Sequence, residues 1–181
     1  MKFEELNLKD LILITPQVFA DNRGFFLETY NREVFKKGGI DVEFIQDNHS
    51  CSSAGVIRGL HFQLAPYTQG KLIRATQGSI LDVVVDLRKH SSTYKGVAKV
   101  LLDSKNKKML YVPEGFAHGF VSLESCEVQY KCTNLYNKSA ESGIRWDDPE
   151  LNIDWEIKNP LVSEKDQQLP YLSKIESLLK F

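Results

Sequence analysis

Residues 70–87 read GKLIRATQGSILDVVVDL, and the fold turns on them. On either side of Gly78 the side chains alternate with period two and β-branched residues are dense, which predicts two strands joined by a tight turn at Gln77-Gly78-Ser79. Glycine suits that tip because tight hairpins demand a positive φ. Alternation puts Lys71, Ile73 and Ala75 on one face of the first strand and Asp82, Val84 and Asp86 on one face of the second. Working outward, Val97–Asp103, Met109–Val112 and Glu127–Thr133 show the same period. Ser104-Lys105-Asn106 offers a second hairpin tip. Many short strands at this spacing predict an antiparallel sandwich or barrel. Helical patterns are few: 31–37, ending at Gly38-Gly39, and 171–179, following Pro170.

The chain has 181 residues, with 23 Lys and Arg against 24 Asp and Glu. That length suits one domain burying its own core, so residues 1–181 are read as a single domain. No stretch concentrates one sign of charge, which argues against nucleic acid or an anionic membrane surface as a partner. The basic run Lys105-Asn106-Lys107-Lys108 falls at the expected solvated hairpin tip. The opening MKFEELNLKDL is acidic where a secretory leader is basic and then apolar, and no segment reaches the length of a membrane span, so a cytoplasmic location is expected. Cys51, Cys126 and Cys132 are odd in number and lack CxxC spacing, which predicts small buried thiols rather than disulfides or a zinc site.

Two other stretches carry chemistry, RGLHFQ at 58–63 and VPEGFAHGF at 112–120. A histidine opening a strand and a later Pro-x-Gly-x-x-His turn are features of a small metal-binding barrel. Zinc and iron, however, require several His, Cys or carboxylate ligands. Here Gln63 stands two residues after His61, Lys71 stands where an acidic ligand would be expected, and only His61 and His118 are available. If the faces above line one barrel, His61, Lys71 and Asp82 converge on a polar patch in an apolar pocket, the usual form of a ligand site. Taken singly, each residue has a plainer reading. His61 can be a hydrogen-bonded core histidine, and Asp166 in Ser163-Glu164-Lys165-Asp166 can complete a capping box. Tyr130 and Tyr136 can be core and strand-end aromatics, and Asp21–Gly24 can be a simple turn.

Taken together, the motifs resemble one family. DNRGFFLETY, FIQDNHS, RGLHFQ, QGKL, LDVVVDLR, VPEGFAHGF, VQYKCTNLY, IRWDDPELNIDW and LVSEKD occur in the order seen in the dTDP-4-dehydrorhamnose 3,5-epimerases, a metal-free branch of the cupins. The resemblance implies an all-β, cupin-type jelly-roll barrel with a few short peripheral helices, and a homodimer whose partner chain completes each nucleotide pocket. It implies a general base at His61, an orienting carboxylate at Asp166, a cation near the sugar C4 oxygen at Lys71 and a general acid at Tyr130. Arg23, Phe25, Glu28, Gln46, Asn48, Arg58, Gln63, His118, Glu141 and Lys165 align with substrate-binding positions, and Tyr136 with an aromatic that stacks on thymine. No cofactor and no metal are implied. The sequence departs from the family at Ser91-Ser92-Thr93-Tyr94-Lys95, where glycine is expected in place of Lys95, and at Ala65, where proline is common.

The chemistry fits these residue types. A ketone at C4 acidifies the hydrogens on C3 and C5, so inversion requires a base on one face of the ring and an acid on the other. Imidazole titrates near pH 6.5, a His-Asp pair fixes the tautomer, and an ammonium can stabilise the enolate. The substrate implied is dTDP-4-dehydro-6-deoxy-D-glucose and the product dTDP-4-dehydro-L-rhamnose. Alternatives are a single-centre epimerase or keto-isomerase on another nucleotide 4-keto-sugar, a metal-dependent dioxygenase of the same fold, and a non-catalytic sugar-nucleotide binding module. Arg58 and His61 pose a geometric problem, because residues three apart on a regular strand face opposite ways. A bulge at Gly59 would resolve it.

Overall fold

A computed structural model describes all residues, 1–181. Its elements in chain order are β1 (Lys2–Glu5), β2 (Ile12–Thr15), β3 (Val18–Asp21), β4 (Gly24–Leu27), α1 (Arg32–Lys37), β5 (Gln46–Ser52), β6 (Val56–Gln63), β7 (Lys71–Gln77), β8 (Ser79–Asp86), β9 (Val97–Asp103), β10 (Met109–Val112), β11 (Phe116–Ser122), β12 (Cys126–Cys132), β13 (Glu141–Gly143), β14 (Leu161–Val162), α2 (Glu164–Gln167) and α3 (Leu172–Ile175), the last running into a 3-10 turn at Glu176–Leu178.

Two sheets face each other. One runs β1-β2-β10-β7-β12-β5, and the other β13-β6-β11-β8-β9 with β14 beside β6. The interior between them is filled by Ile73, Ala75, Ile80, Val84, Leu110, Phe120 and Val128. The alternation read from 70–87 decides this: even-numbered positions of β8 face the interior, while Leu81, Val83 and Val85 pack outward against Trp155, Leu172, Ile175 and Leu179 of the C-terminal segment. Being covered on both faces, β8 reads as a nearly continuous apolar run. Likewise Leu72, Met109 and Tyr111, on the outer face of the first sheet, are covered by Phe35 of α1 and by Ile40. Asn31 caps α1 by accepting from the backbone N–H of Glu33 and Val34. No helix is long and apolar enough to cross a membrane.

Two local expectations are corrected. Ser104-Lys105-Asn106 is not a hairpin tip: β9 pairs with β8 and β10 with β2 and β7, so this turn carries the chain from one sheet to the other. Its positive φ falls on Lys107, at 55°, while Gly78 takes the expected 66° at the true hairpin. Asn106 serves the turn differently, accepting from Lys108 N and donating to Asp103. Cys126 and Cys132 are buried free thiols, but Cys51 is exposed, because outward positions of β5 have no cover. At the family departure, Lys95 takes a left-handed φ of 61° that glycine adopts without steric cost, and its ammonium pairs with Glu150 and Glu176.

Candidate active site

The geometric problem at Arg58 and His61 is resolved by the backbone of β6. His61 lies opposite His118 on β11, and Arg58 opposite Phe120, so three residues of β6 span what two span on its partner. The extra residue is a bulge. It turns Arg58 and His61 toward the same cavity, which they line with Gln46, Asn48, Ser50, Phe62, Gln63, Gln69, Lys71, His118, Phe120, Tyr130, Tyr136 and Glu141. Gly59, at the bulge, has φ of 119°, and a Cβ there would come within 2.6 Å of the Gly119 Cα. Both conformation and space exclude any other residue.

His61 Nε2 donates to Asp166 Oδ1 at 2.7 Å, and Asp166 Oδ2 accepts from Gly59 N at 3.2 Å. The neutral imidazole therefore keeps its free lone pair on Nδ1. Burial alone would raise Asp166, but the hydrogen bond and charge of His61 and the Gly59 N–H outweigh it and hold the carboxyl below its ordinary range. The expected capping box is half right. Ser163 Oγ accepts from Asp166 N, the N-cap of α2, but the Asp166 carboxylate turns to His61 instead of back to the cap.

Lys71 comes from β7 on the facing sheet. It is only 9% exposed, and burial pulls its ammonium down, with Cys132 and Asp82 acting in the opposite direction. Tyr130, on β12, is raised above the ordinary phenol value by burial, so it carries its proton at neutral pH. Asp82 is fully buried and accepts from His118 Nε2 at 2.8 Å.

The remaining expected residues divide into groups. Arg58 donates to Ser52 Oγ and to the Cys51 carbonyl, which fixes its guanidinium along β5. Gln46 donates to Asn48 and accepts from Tyr136 N. Gln63 lines the cavity but commits its amide to Tyr67 O, Leu135 O and Asn137 N, so it holds the loop that carries Tyr136. Tyr136, 52% exposed, donates to Glu141, which also pairs with Lys165. That pair lowers Glu141, chiefly through the Lys165 hydrogen bond.

Arg23, Phe25 and Glu28 are not brought to this cavity within the chain. β3 and β4 pair only with each other. Arg23 pairs with Asp21 at the tip of this ribbon, Phe25 lies under the Lys107 ammonium at 3.6 Å, and Glu28 accepts from Asn31. Ser50, Phe62, Gln69 and Phe120 line the cavity without having been anticipated. Ser50 was reachable, since it continues the period-two face of Gln46 and Asn48. A second depression, outside the first sheet, is lined by Asp47, His49, Arg74, Gln129 and Lys131 among others. Its polar groups are already engaged in the pairs Lys131–Asp47 and Arg74–Gln129 and in the His49–Glu127 contact. No three His, Cys, Asp or Glu side chains gather as metal ligands.

Fold and site together define a cupin-type jelly roll whose pocket gathers His61, Lys71, His118 and Tyr130 from both sheets. The likeness to known proteins is close. The chain belongs to the dTDP-4-dehydrorhamnose 3,5-epimerase family, whose model matches residues 5–174. It is 49% identical over 168 residues, 92% of this chain and 93% of the relative, to the dTDP-4-dehydrorhamnose 3,5-epimerase of Shigella flexneri. It superposes with a TM-score of 0.92 on the crystal structure of the dTDP-4-dehydrorhamnose 3,5-epimerase of Bacillus anthracis str. Ames with TDP and PPi bound, at 47% identity over 94% of this chain and 99% of that one. The dTDP-6-deoxy-D-glucose-3,5-epimerase of Legionella pneumophila, in complex with dTDP-4-keto-L-rhamnose, gives a TM-score of 0.94 at 38% identity over 98% and 96% of the two chains.

Proposed function

We propose that residues 1–181 form one catalytic unit, an epimerase that inverts C3 and C5 of dTDP-4-dehydro-6-deoxy-D-glucose to give dTDP-4-dehydro-L-rhamnose. The observation that carries this reading is the convergence of His61, Lys71 and Tyr130, from three different strands, on one cavity, with Asp166 behind His61. His61 Nδ1 takes the proton from the carbon beside the ketone, and Asp166 stabilises the imidazolium that forms. Lys71 neutralises the developing enolate oxygen, a contribution of about 3 to 4 kcal/mol for one preorganised donor. Tyr130 delivers a proton to the opposite face. Exchange with water returns a proton to Tyr130 and removes one from His61, which resets both for the second centre.

Arg58, with its guanidinium fixed by Ser52 and Cys51, grips the diphosphate together with Gln46, Asn48 and His118. Tyr136 offers an exposed ring for the base, steadied by Glu141 and Lys165. The ribbon of β3 and β4 exposes Phe19, Phe25 and Phe26, more apolar surface than a free hairpin sustains. In this reading the chain is a homodimer, and the ribbon carries Arg23, Phe25 and Glu28 to the partner's pocket. Three unpaired thiols suit a reducing compartment, here the cytoplasm.

Turnover in D₂O followed by NMR tests the assignment. Label at both C3 and C5 of the product is the expected result. A single-centre epimerase would use the same residues, and label at one carbon alone replaces the double-epimerase reading with that one.

A further inference from the structure

Asp82 has no role in the mechanism above, and its position requires one. It sits in the middle of β8 on the interior face, fully buried among Ile80 and Val84. One carboxylate oxygen, Oδ2, accepts from His118 Nε2 at 2.8 Å. The other, Oδ1, is buried with no hydrogen-bond partner. An unpaired oxygen on a buried carboxylate is costly, and natural cores rarely retain one without a use. Across the barrel Lys71 is also buried, at the cavity wall, and the Asp82 carboxylate is among the charges that act on its ammonium without bonding it directly. The other titratable and charged groups facing this space are His61 and Arg58 from β6, Tyr130 and Cys132 from β12, and Glu141 from β13, which is paired with Lys165. Arg58 is a cation, and the burial-raised phenol and thiol of Tyr130 and Cys132 are neutral at pH 7. Asp166 is turned to His61 and Glu141 to Lys165, which leaves Asp82 as the interior carboxylate set to balance Lys71; burial raises its carboxyl, and His118 and Lys71 pull it back down.

We propose that Asp82 is a positioning residue of this site: its carboxylate keeps Lys71 an ammonium inside the barrel and turns His118 so that Nδ1 is the ring nitrogen left free for the bound substrate. The two effects come from the two oxygens. Oδ2 fixes the imidazole, and the unpaired Oδ1 leaves its charge uncommitted toward the lysine. Its consequence and the kinetic arm of its test rest on the proposed function; the titration of Lys71 does not.

The sign follows from charge alone. A nearby anion favours the protonated amine, so removing it lets Lys71 lose its proton at lower pH. Wild type and Asp82→Asn are compared by kcat/KM against pH, dTDP affinity and melting temperature, with Asp82→Ser as a second variant that leaves room for water. The expected result is an alkaline limb shifted down by about one to two pH units, together with weaker dTDP affinity, since His118 shares the diphosphate grip and loses the charge that orients it. A lower melting temperature with an unmoved limb would make Asp82 structural only and overturn the proposal. Should neither variant fold, the Lys71 ε-carbon shift of wild type, followed by NMR through pH 8, decides. A charged amine at pH 8 supports the proposal, and a neutral one overturns it. That titration needs no substrate, so failure of wild type to turn over the dTDP-keto-sugar would count against the proposed function and leave this measurement standing.

Discussion

His61 and Asp166 are 105 residues apart in the chain and 2.7 Å apart in space. The contact exists because Ser163 caps α2 and β14 runs parallel to β6, which brings the start of the helix against the bulge. Asp166→Asn preserves shape but removes the charge that stabilises an imidazolium. We expect kcat to fall by on the order of 10² to 10⁴, measured by steady-state turnover with KM little changed.

The same carboxylate gives a pH signature in stability. Its folded value lies below the ordinary one, so its ionised form contributes stability that is fully present above about pH 4 and is lost as the pH falls through the depressed value. Urea midpoints measured from pH 6 to pH 3 should drop more steeply for wild type than for Asp166→Asn. Parallel curves would show that His61 and Asp166 are not coupled in the folded chain.

Lys71→Met separates catalysis from stability. Loss of the oxyanion donor should cut kcat/KM by about 10² to 10³. With Asp82→Asn added, so that no buried carboxylate is left unbalanced, replacing the ammonium by a thioether of similar size should leave the melting temperature unchanged or raise it. A double variant that loses both activity and several degrees of melting temperature would mark Lys71 as a structural group.

Gly59→Ala tests the bulge. The substitution must adopt φ near 119° and place its Cβ against the Gly119 backbone, neither of which side-chain rotation relieves. A destabilisation of about 2 kcal/mol or more is expected from denaturant unfolding, with activity falling as Arg58 and His61 lose their common orientation.

Mixed protomers test the ribbon. Arg23→Ala and His61→Ala proteins should each turn over poorly. After subunit exchange about a quarter of the sites should recover, the fraction that random pairing gives when Arg23 serves the partner's pocket. No recovery would place Arg23's role within its own chain or nowhere.

The strands β7, β8, β9, β10 and β12 could be read from local pattern, because side-chain alternation reports which face of a strand is buried and Gly78 marks the turn between β7 and β8. The interior placement of Lys71 and Asp82 followed from the same alternation, and the helix read over 31–37 from its stop at Gly38-Gly39. The pattern failed at Ser104–Asn106. A hairpin and a sheet-to-sheet crossing use the same turn residues, and only the pairing of β10 with β2 and β7 distinguishes them.

Strands such as β7 and β8, their buried faces and the groups they carry depend on residues two or three apart and are legible in local pattern. Which groups meet is settled by the folded arrangement. The bulge that aligns Arg58 with His61, the approach of Asp166 to that imidazole and the separation of Arg23 from the cavity are set by strand register and long-range packing. Those depend on contacts between residues far apart in the chain, where periodicity carries no information.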